Sequence, residues 1–363
     1  MIIAGNNHTF IIDSDNNILA SGENGSGQLG NGSNVIATTF EEIDSTIKPL
    51  RYDSDKVLIK AIAVGDEHSA MVTTDNKLAV TGSNYVGQLG ITDDNLDSFT
   101  IHPITNNEYP LLIKMVSCGK RSTIILTLSG SIYLTGINII GLIGDQSSTF
   151  QPCNSIFPDG DFNPNWIRVS NERVLVIDED AQLWYCSKDN NPLLIDSGIA
   201  AIEAVVLGQS ILIRNDNNDV YSYSIGDDGV MQLDEPIISD VINMEAAEDR
   251  VLLLHQDGST SIIVDDVVES AFEEYQVKRM AISNNSIFIY TNDGQLLATG
   301  YNHRYQLGIG DISLNEDDLV EVDLNGVNNE VGDKIETDDA EDKIETDDEV
   351  IEFIDQPNQD EEE

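Results

Sequence analysis

The chain has 363 residues, 65 acidic against 18 basic side chains, and a formal net charge of −47. Nucleic-acid affinity rests on neutralising phosphates with Lys and Arg, so this balance argues against direct binding of DNA, RNA or an anionic membrane; the acidic body is read first as keeping the protein soluble and second as attracting basic proteins. No apolar run approaches the ~20 residues of a membrane span, Met1–Gly5 has no basic leader region, and three scattered cysteines (Cys118, Cys153, Cys186) have no pairing pattern, so we expect an intracellular protein, cytoplasmic or nuclear, in a reducing compartment.

Taken in order, the first unit is AGNNHTFIIDSDNNILASGENGSGQLG, from Ala4 to Gly30. Two short apolar runs, Thr9–Ile12 and Ile18–Ala20, flank Asp15-Asn16, which predicts a hairpin with a primed turn. A glycine-rich exit follows at Gly22, Gly25, Gly27 and Gly30. The design returns at Ala63–Gly90, more weakly at Ser117–Gly144, and again in the stretch ending at Gly308. Between Gly144 and Met280 the glycines thin out, yet three more hairpins turn at Asp180, Asn218 and Asp257. With Asp15, Asp75, Ser129 and Asp293 the turns make seven, and a period of this length signals a repeat architecture.

The recurring positions are Gly5, His8, Gly22, Gln28 and Gly30, then Gly65, His68, Gly82, Gln88 and Gly90, then Gly136 and Gly144, then Gly300, Gln306 and Gly308. This pattern resembles the regulator of chromosome condensation repeat. In the third unit Arg121 falls where the histidine stands; in the last, Asn284 and Asn285 fall where the leading Gly and His would be. The resemblance implies an all-β, seven-bladed propeller closed by N- and C-terminal strands. It covers about residues 1–328, with strong units at about 1–60, 61–114, 115–165 and 278–328 and degenerate ones over 166–277. Residues 318–324 are expected to pair with the first hairpin and close the ring, hiding the open edges.

Residues 329–363 hold 17 acidic residues and two lysines, a net −15, and their composition predicts a disordered tail. Inside it, Val350, Ile351, Phe353 and Ile354 form an apolar island that could add a strand to a partner's sheet edge, pack back on the propeller, or do neither. Phe157, Phe162 and Trp166 lie in an irregular segment and are read either as a partner-binding rim loop or, with more weight, as a cap over a joint between blades.

Nothing points to catalysis. His8 and His68 share one repeat position and are expected to hold a backbone hydrogen bond between blades. Asp13-x-Asp15-x-Asn17 opens like a calcium loop, but Ile18 stands where its glycine belongs. No catalytic, cofactor or metal site is expected. The function expected is a non-enzymatic, monomeric protein-interaction platform. Two alternatives stay open: guanine-nucleotide exchange on a small Ran-like GTPase, the activity of the family's namesake, and binding of histones or other basic proteins.

Overall fold

The computed structural model describes residues 1–43, 51–52, 55–56, 58–92, 94–102, 104–106, 109–141, 145–157, 162–170, 172–188, 190–195, 198–226, 229–232, 235–312 and 319–324. Gly144 and residues 325–363, with the Val350–Ile354 island, lie outside them.

Seven four-stranded antiparallel sheets follow one another, each drawn from one contiguous stretch. Blade one comprises Ile2–Ala4, His8–Ile12, Ile18–Gly22 and Ala37–Glu42; blade two Ile59–Val64, His68–Thr73, Leu78–Gly82 and Leu96–His102. Blade three runs from Ile113 to Pro152, blade four from Pro164 to Ile195, blade five from Ala201 to Gln232, blade six from Val241 to Ala271 and blade seven from Val277 to Glu321. The first strand of every blade touches the first strands of both neighbours, so these seven line a common axis and the ring is closed.

The hairpins turn as the Asp and Asn signals foretold, by a different route. One residue per blade takes a left-handed backbone: Asn16, Asn76, Gly130, Ala181, Asn218, Gly258 and Gly294. In the first, Asn16 N–H bonds Asp13 O while Asp13 N–H bonds Asn17 O, a type I turn with a one-residue bulge rather than a primed turn.

Apolar residues on the two central strands of a blade face opposite joints. In the second strand of blade one, Phe10 packs toward blade two and Ile11 toward blade seven. Both sides are covered, so all five residues of His8–Ile12 are buried. Seven hydrophobic clusters result, one per joint.

The closure differs from the strand pairing expected. Val320–Glu321 pairs with Leu296–Gly300 of its own blade seven, and Ile2–Ala4 pairs with His8–Ile12 of blade one. The two ends meet through packing: Val322 and Leu324 share a cluster with Ile2, Ile11, Leu19 and Phe40. No sheet edge is exchanged, because the N-terminal residues already supply blade one's inner strand.

Candidate functional site

The repeated residues build the joints. Each glycine exit leaves its blade and lies against the next. Asn24 Oδ1 accepts Leu29 N–H at 2.9 Å and Gln28 Oε1 accepts Ser26 N–H at 3.0 Å. Asn84 with Gln88 and Asn302 with Gln306 repeat both bonds in blades two and seven. The asparagine of the G-x-N-x-x-G-Q-L-G exit is thus as much a part of it as the glutamine. Gly30 sits so close to Phe99 of the next blade that a Cβ would lie 2.4 Å from the ring; Gly90 meets Phe150 and Gly308 meets Phe40 in the same way.

His8 and His68 do join blades, but through a hydroxyl, not a backbone group. His8 Nε2 lies 2.8 Å from Ser69 Oγ, and Ser69 Oγ donates to Gln28 O at 2.8 Å. His68 Nε2, Thr123 Oγ1 and Gln88 O repeat the arrangement at 3.0 and 2.7 Å. The hydroxyl's hydrogen goes to the carbonyl, so the imidazole must be the donor. Burial holds both rings neutral, lowering His8 to about 3 and His68 to about 4. Such histidines are fixed structural donors, unfit for proton transfer near neutral pH.

The backbone corrects the placement of Arg121 and of Asn284-Asn285. Gly119 N–H bonds Ser122 O, as Gly5 bonds His8 O and Gly65 bonds His68 O. Ser122 therefore holds the histidine position of blade three. In blade seven Ser283 and Ser286 replace the Gly/His pair and bond each other at 2.9 Å. The relay is missing at those two joints, where Ser122 Oγ and Thr9 Oγ1 are buried without a partner.

Arg121 instead lies in the blade-three turn beside Lys120, which joins a chain of such turns around the axis. Asn6 donates to Asp66 Oδ1 at 3.3 Å, Asp66 N–H to Lys120 O at 3.1 Å, and Lys120 N–H to Glu172 Oε1 at 2.5 Å. Lys120 Nζ reaches Glu248 Oε1 at 2.5 Å, Glu248 N–H bonds Asn284 Oδ1 at 2.8 Å, and Asn284 N–H returns to Asn6 Oδ1 at 3.2 Å. Burial, helped by Asp66 and Glu248, raises the Glu172 carboxyl despite the Lys120 contacts.

These turns and the exits lie on one face of the disc. Three exits, of blades seven, one and two, are consecutive around the ring. They carry Tyr301, Ile312, Val35 and Tyr85, the last 89% exposed. Tyr301 and His303 rings sit 5.5 Å apart, and Arg304 Nη1 lies 3.4 Å from Glu23 Oε1 across the joint. A tyrosine offers an apolar body with a polar tip, the chemistry favoured at interfaces.

The segment read as a possible rim loop turns inward. Phe157 is buried and stacks on Phe162, centroids 4.0 Å apart, and both rings stand edge-on to Trp184. They pack into the joint between blades three and four, while Trp166 packs against the core between blades four and five. Cys153 and Cys186 are buried, and burial pushes both thiols up to about 12. Among the described residues no group of three or more His, Cys, Asp or Glu is placed to hold a metal ion, and no helix is long and apolar enough to cross a membrane.

The family model described as the regulator of chromosome condensation (RCC1) repeat matches residues 4–28 and 59–88, the hairpins and exits of blades one and two. The X-linked retinitis pigmentosa GTPase regulator of Canis lupus familiaris is 30% identical over 145 residues, 40% of this chain and 14% of that protein. Guanine nucleotide exchange factor SRM1 of Saccharomyces cerevisiae is 29% identical over 155 residues, 39% of this chain and 31% of that protein. The matched stretch thus spans less than a third of either relative. The solved structure of Prp20p from Saccharomyces cerevisiae superposes with a TM-score of 0.67 at 13% identity, covering 85% of this chain and 86% of its own, a likeness of fold. The chain is a seven-bladed β-propeller whose first two blades carry the regulator of chromosome condensation (RCC1) repeat.

Proposed function

We propose that the protein is a non-enzymatic platform that docks a protein partner on its exit face, over blades seven, one and two. The observation that carries this reading is the set of exposed apolar side chains on three adjacent exits whose backbones are pinned by buried Asn24, Gln28, Gln88, Asn302 and Gln306. Rigid loops lose little entropy on binding, which favours their use as an anchor surface. The surrounding carboxylates, among them Asp66, Glu67, Glu248 and Asp249, suit a partner with basic residues around an apolar centre.

Affinity capture from the source cell with the wild-type chain and with Tyr85→Ser/Tyr301→Ser tests this. A partner retained by the wild type and lost from an equally stable variant supports the platform; identical retention refutes it.

The second reading is nucleotide exchange on a small GTPase. It is favoured by the relative named as an exchange factor and by the superposed Prp20p, a protein with binding properties to Gsp1p and histones. Release of labelled GDP from a Ran-like GTPase, accelerated by catalytic amounts of this chain, would establish it. Unchanged release leaves the platform reading in place. For histones, the other ligand of Prp20p, a pull-down across salt separates specific retention from charge attraction alone.

A further inference from the structure

The opposite face, where the hairpins turn, carries a feature the repeat does not explain. In six of seven blades the inner strand slips by one residue against its neighbour, after Ile59, Ile113, Pro164, Ala201, Val241 and Val277. Each slip bulges out one residue: Lys60, Lys114, Asn165, Ile202, Ile242 and Lys278. A bulge re-aims the side chain it carries. All six stand where the inner strand begins, so they ring the mouth of the axial channel on this face.

The ring is cationic on blades two, three and seven and apolar on blades five and six. Ile202 and Ile242 are each 41% exposed, and Leu112, one residue before blade three, is 47% exposed. Lys60 Nζ bonds Asn76 Oδ1 at 3.2 Å, and Lys114 Nζ bonds Asn165 Oδ1. Among the described residues none of the three lysines is within ion-pair distance of a carboxylate. Burial, and then the Lys114 charge, lower the Lys60 ammonium, which places two like charges in one space without a counter-charge. In a chain of net charge −47, lysines left without a carboxylate at a half-apolar mouth are an exception that asks for an occupant.

The complementary chemistry is an acidic segment with apolar side chains, and the chain carries one at Glu349-Val350-Ile351-Glu352-Phe353-Ile354-Asp355. The described chain points toward it. The outer strand of blade seven runs to this same face, where Val322 N–H bonds Leu296 O, level with Val277 and Lys278. Four strands separate the outer edge from the axis, roughly 15 Å at ~4.8 Å per step. The 24 residues between Leu324 and Glu349 reach a root-mean-square ~25–30 Å as a flexible chain. A tether only modestly longer than its span gives an effective concentration near the millimolar range.

We propose that residues 349–355 of the same chain dock on this mouth, their carboxylates against Lys60, Lys114 and Lys278 and their apolar side chains against Ile202 and Ile242. The tail is then a resident ligand, and an acidic partner segment binds there only by displacing it.

Zero-length carbodiimide cross-linking of the full chain, mapped by mass spectrometry, tests the proposal, because it couples amines only to carboxylates in direct contact. The expected result is amide links from Lys60, Lys114 or Lys278 to carboxylates of 345–355, within one chain in a mixed light- and heavy-isotope sample, falling severalfold in Ile351→Ser/Phe353→Ser. Those substitutions change no residue of the seven described sheets. Absence of such links, links only between copies, or links unchanged by the apolar substitutions would each overturn it; the last would mean charge attraction alone.

Discussion

His8 Nε2 lies 2.8 Å from the hydroxyl of Ser69 in the next blade, and that hydroxyl donates its own hydrogen to Gln28 O at 2.8 Å. One imidazole thus ties the second strand of blade one to the second strand of blade two through an atom that also holds the exit loop. His68 does the same one joint further on.

Stability therefore depends on both rings staying neutral. Their pKa values, about 3 and about 4 in the fold, lie below the 6.5 of an unfolded histidine. Between these values the unfolded chain binds protons that the folded chain excludes, so stability falls as pH falls from 6.5. The loss is up to ~1.4 kcal/mol per pH unit for each histidine. Carboxylates titrate in the same range, so the comparison is differential: urea midpoints of the wild type and His8→Gln/His68→Gln from pH 7 to 4.5. The variant is expected to start lower and decline less steeply; parallel curves would contradict the relay.

The joint between blades seven and one lacks the relay, and its parts show how to install it. Thr9 Oγ1 is buried there without a partner, and Ser286 holds the histidine position. A Cβ on Gly65 would lie 2.2 Å from His68 Cε1, so a histidine at 286 placed as His68 is would meet the Cβ of Ser283. Ser286→His alone should lower the melting temperature. Ser283→Gly/Ser286→His should recover it and exceed the wild type by about one hydrogen bond, ~1 kcal/mol. A double variant no better than the single would refute this.

Blades four to six are tied differently. Arg168, on the inner strand of blade four, bonds Glu245 Oε2 at 2.5 Å and Met244 O at 3.1 Å in blade six, and approaches Glu203 Oε1 of blade five at 3.4 Å. Glu203 is also held by Arg214 at 2.9 Å. One guanidinium spans three blades. Arg168→Ala leaves two half-buried carboxylates short of a partner and should cost about 3 kcal/mol in urea unfolding. A loss below about 0.5 kcal/mol, the range of an exposed pair, would show that the network only decorates the channel.

At the seam, Leu324 is 1% exposed and shares its cluster with Ile2 and Ile11. Leu324→Ala should cost about 2–5 kcal/mol, read as a lower denaturation midpoint. An unchanged midpoint would mean the ring holds without its last described residue.

Much of this architecture could be read from residues in sequence. Gly, His and the Gln-Leu-Gly exits marked blades one and two, and the exit alone marked blade seven, because each is needed where backbone meets backbone. Asp and Asn marked turns in the blades whose exits had faded, because a left-handed residue closes every hairpin. The histidine position in blade three was read one residue early, since Arg121 and Ser122 are told apart only by which carbonyl Gly119 meets. The closing strand went to the wrong blade because an apolar run does not say which edge it joins. Arg168, Glu203 and Glu245 carry no local pattern; their meeting follows only from the ring. The exposed exit residues Tyr85 and Tyr301 were missed for a related reason, being uninformative until the loops are seen side by side.

The most direct test of the central claim is amide hydrogen exchange of the full chain with and without the partner that it captures. Protection is predicted in the exits, over residues 23–36, 83–92 and 301–312, with the hairpin turns at 13–17, 73–77 and 291–295 unchanged. Protection confined to the hairpin turns or the outer strands, with the three exits exchanging as freely as before, would contradict it.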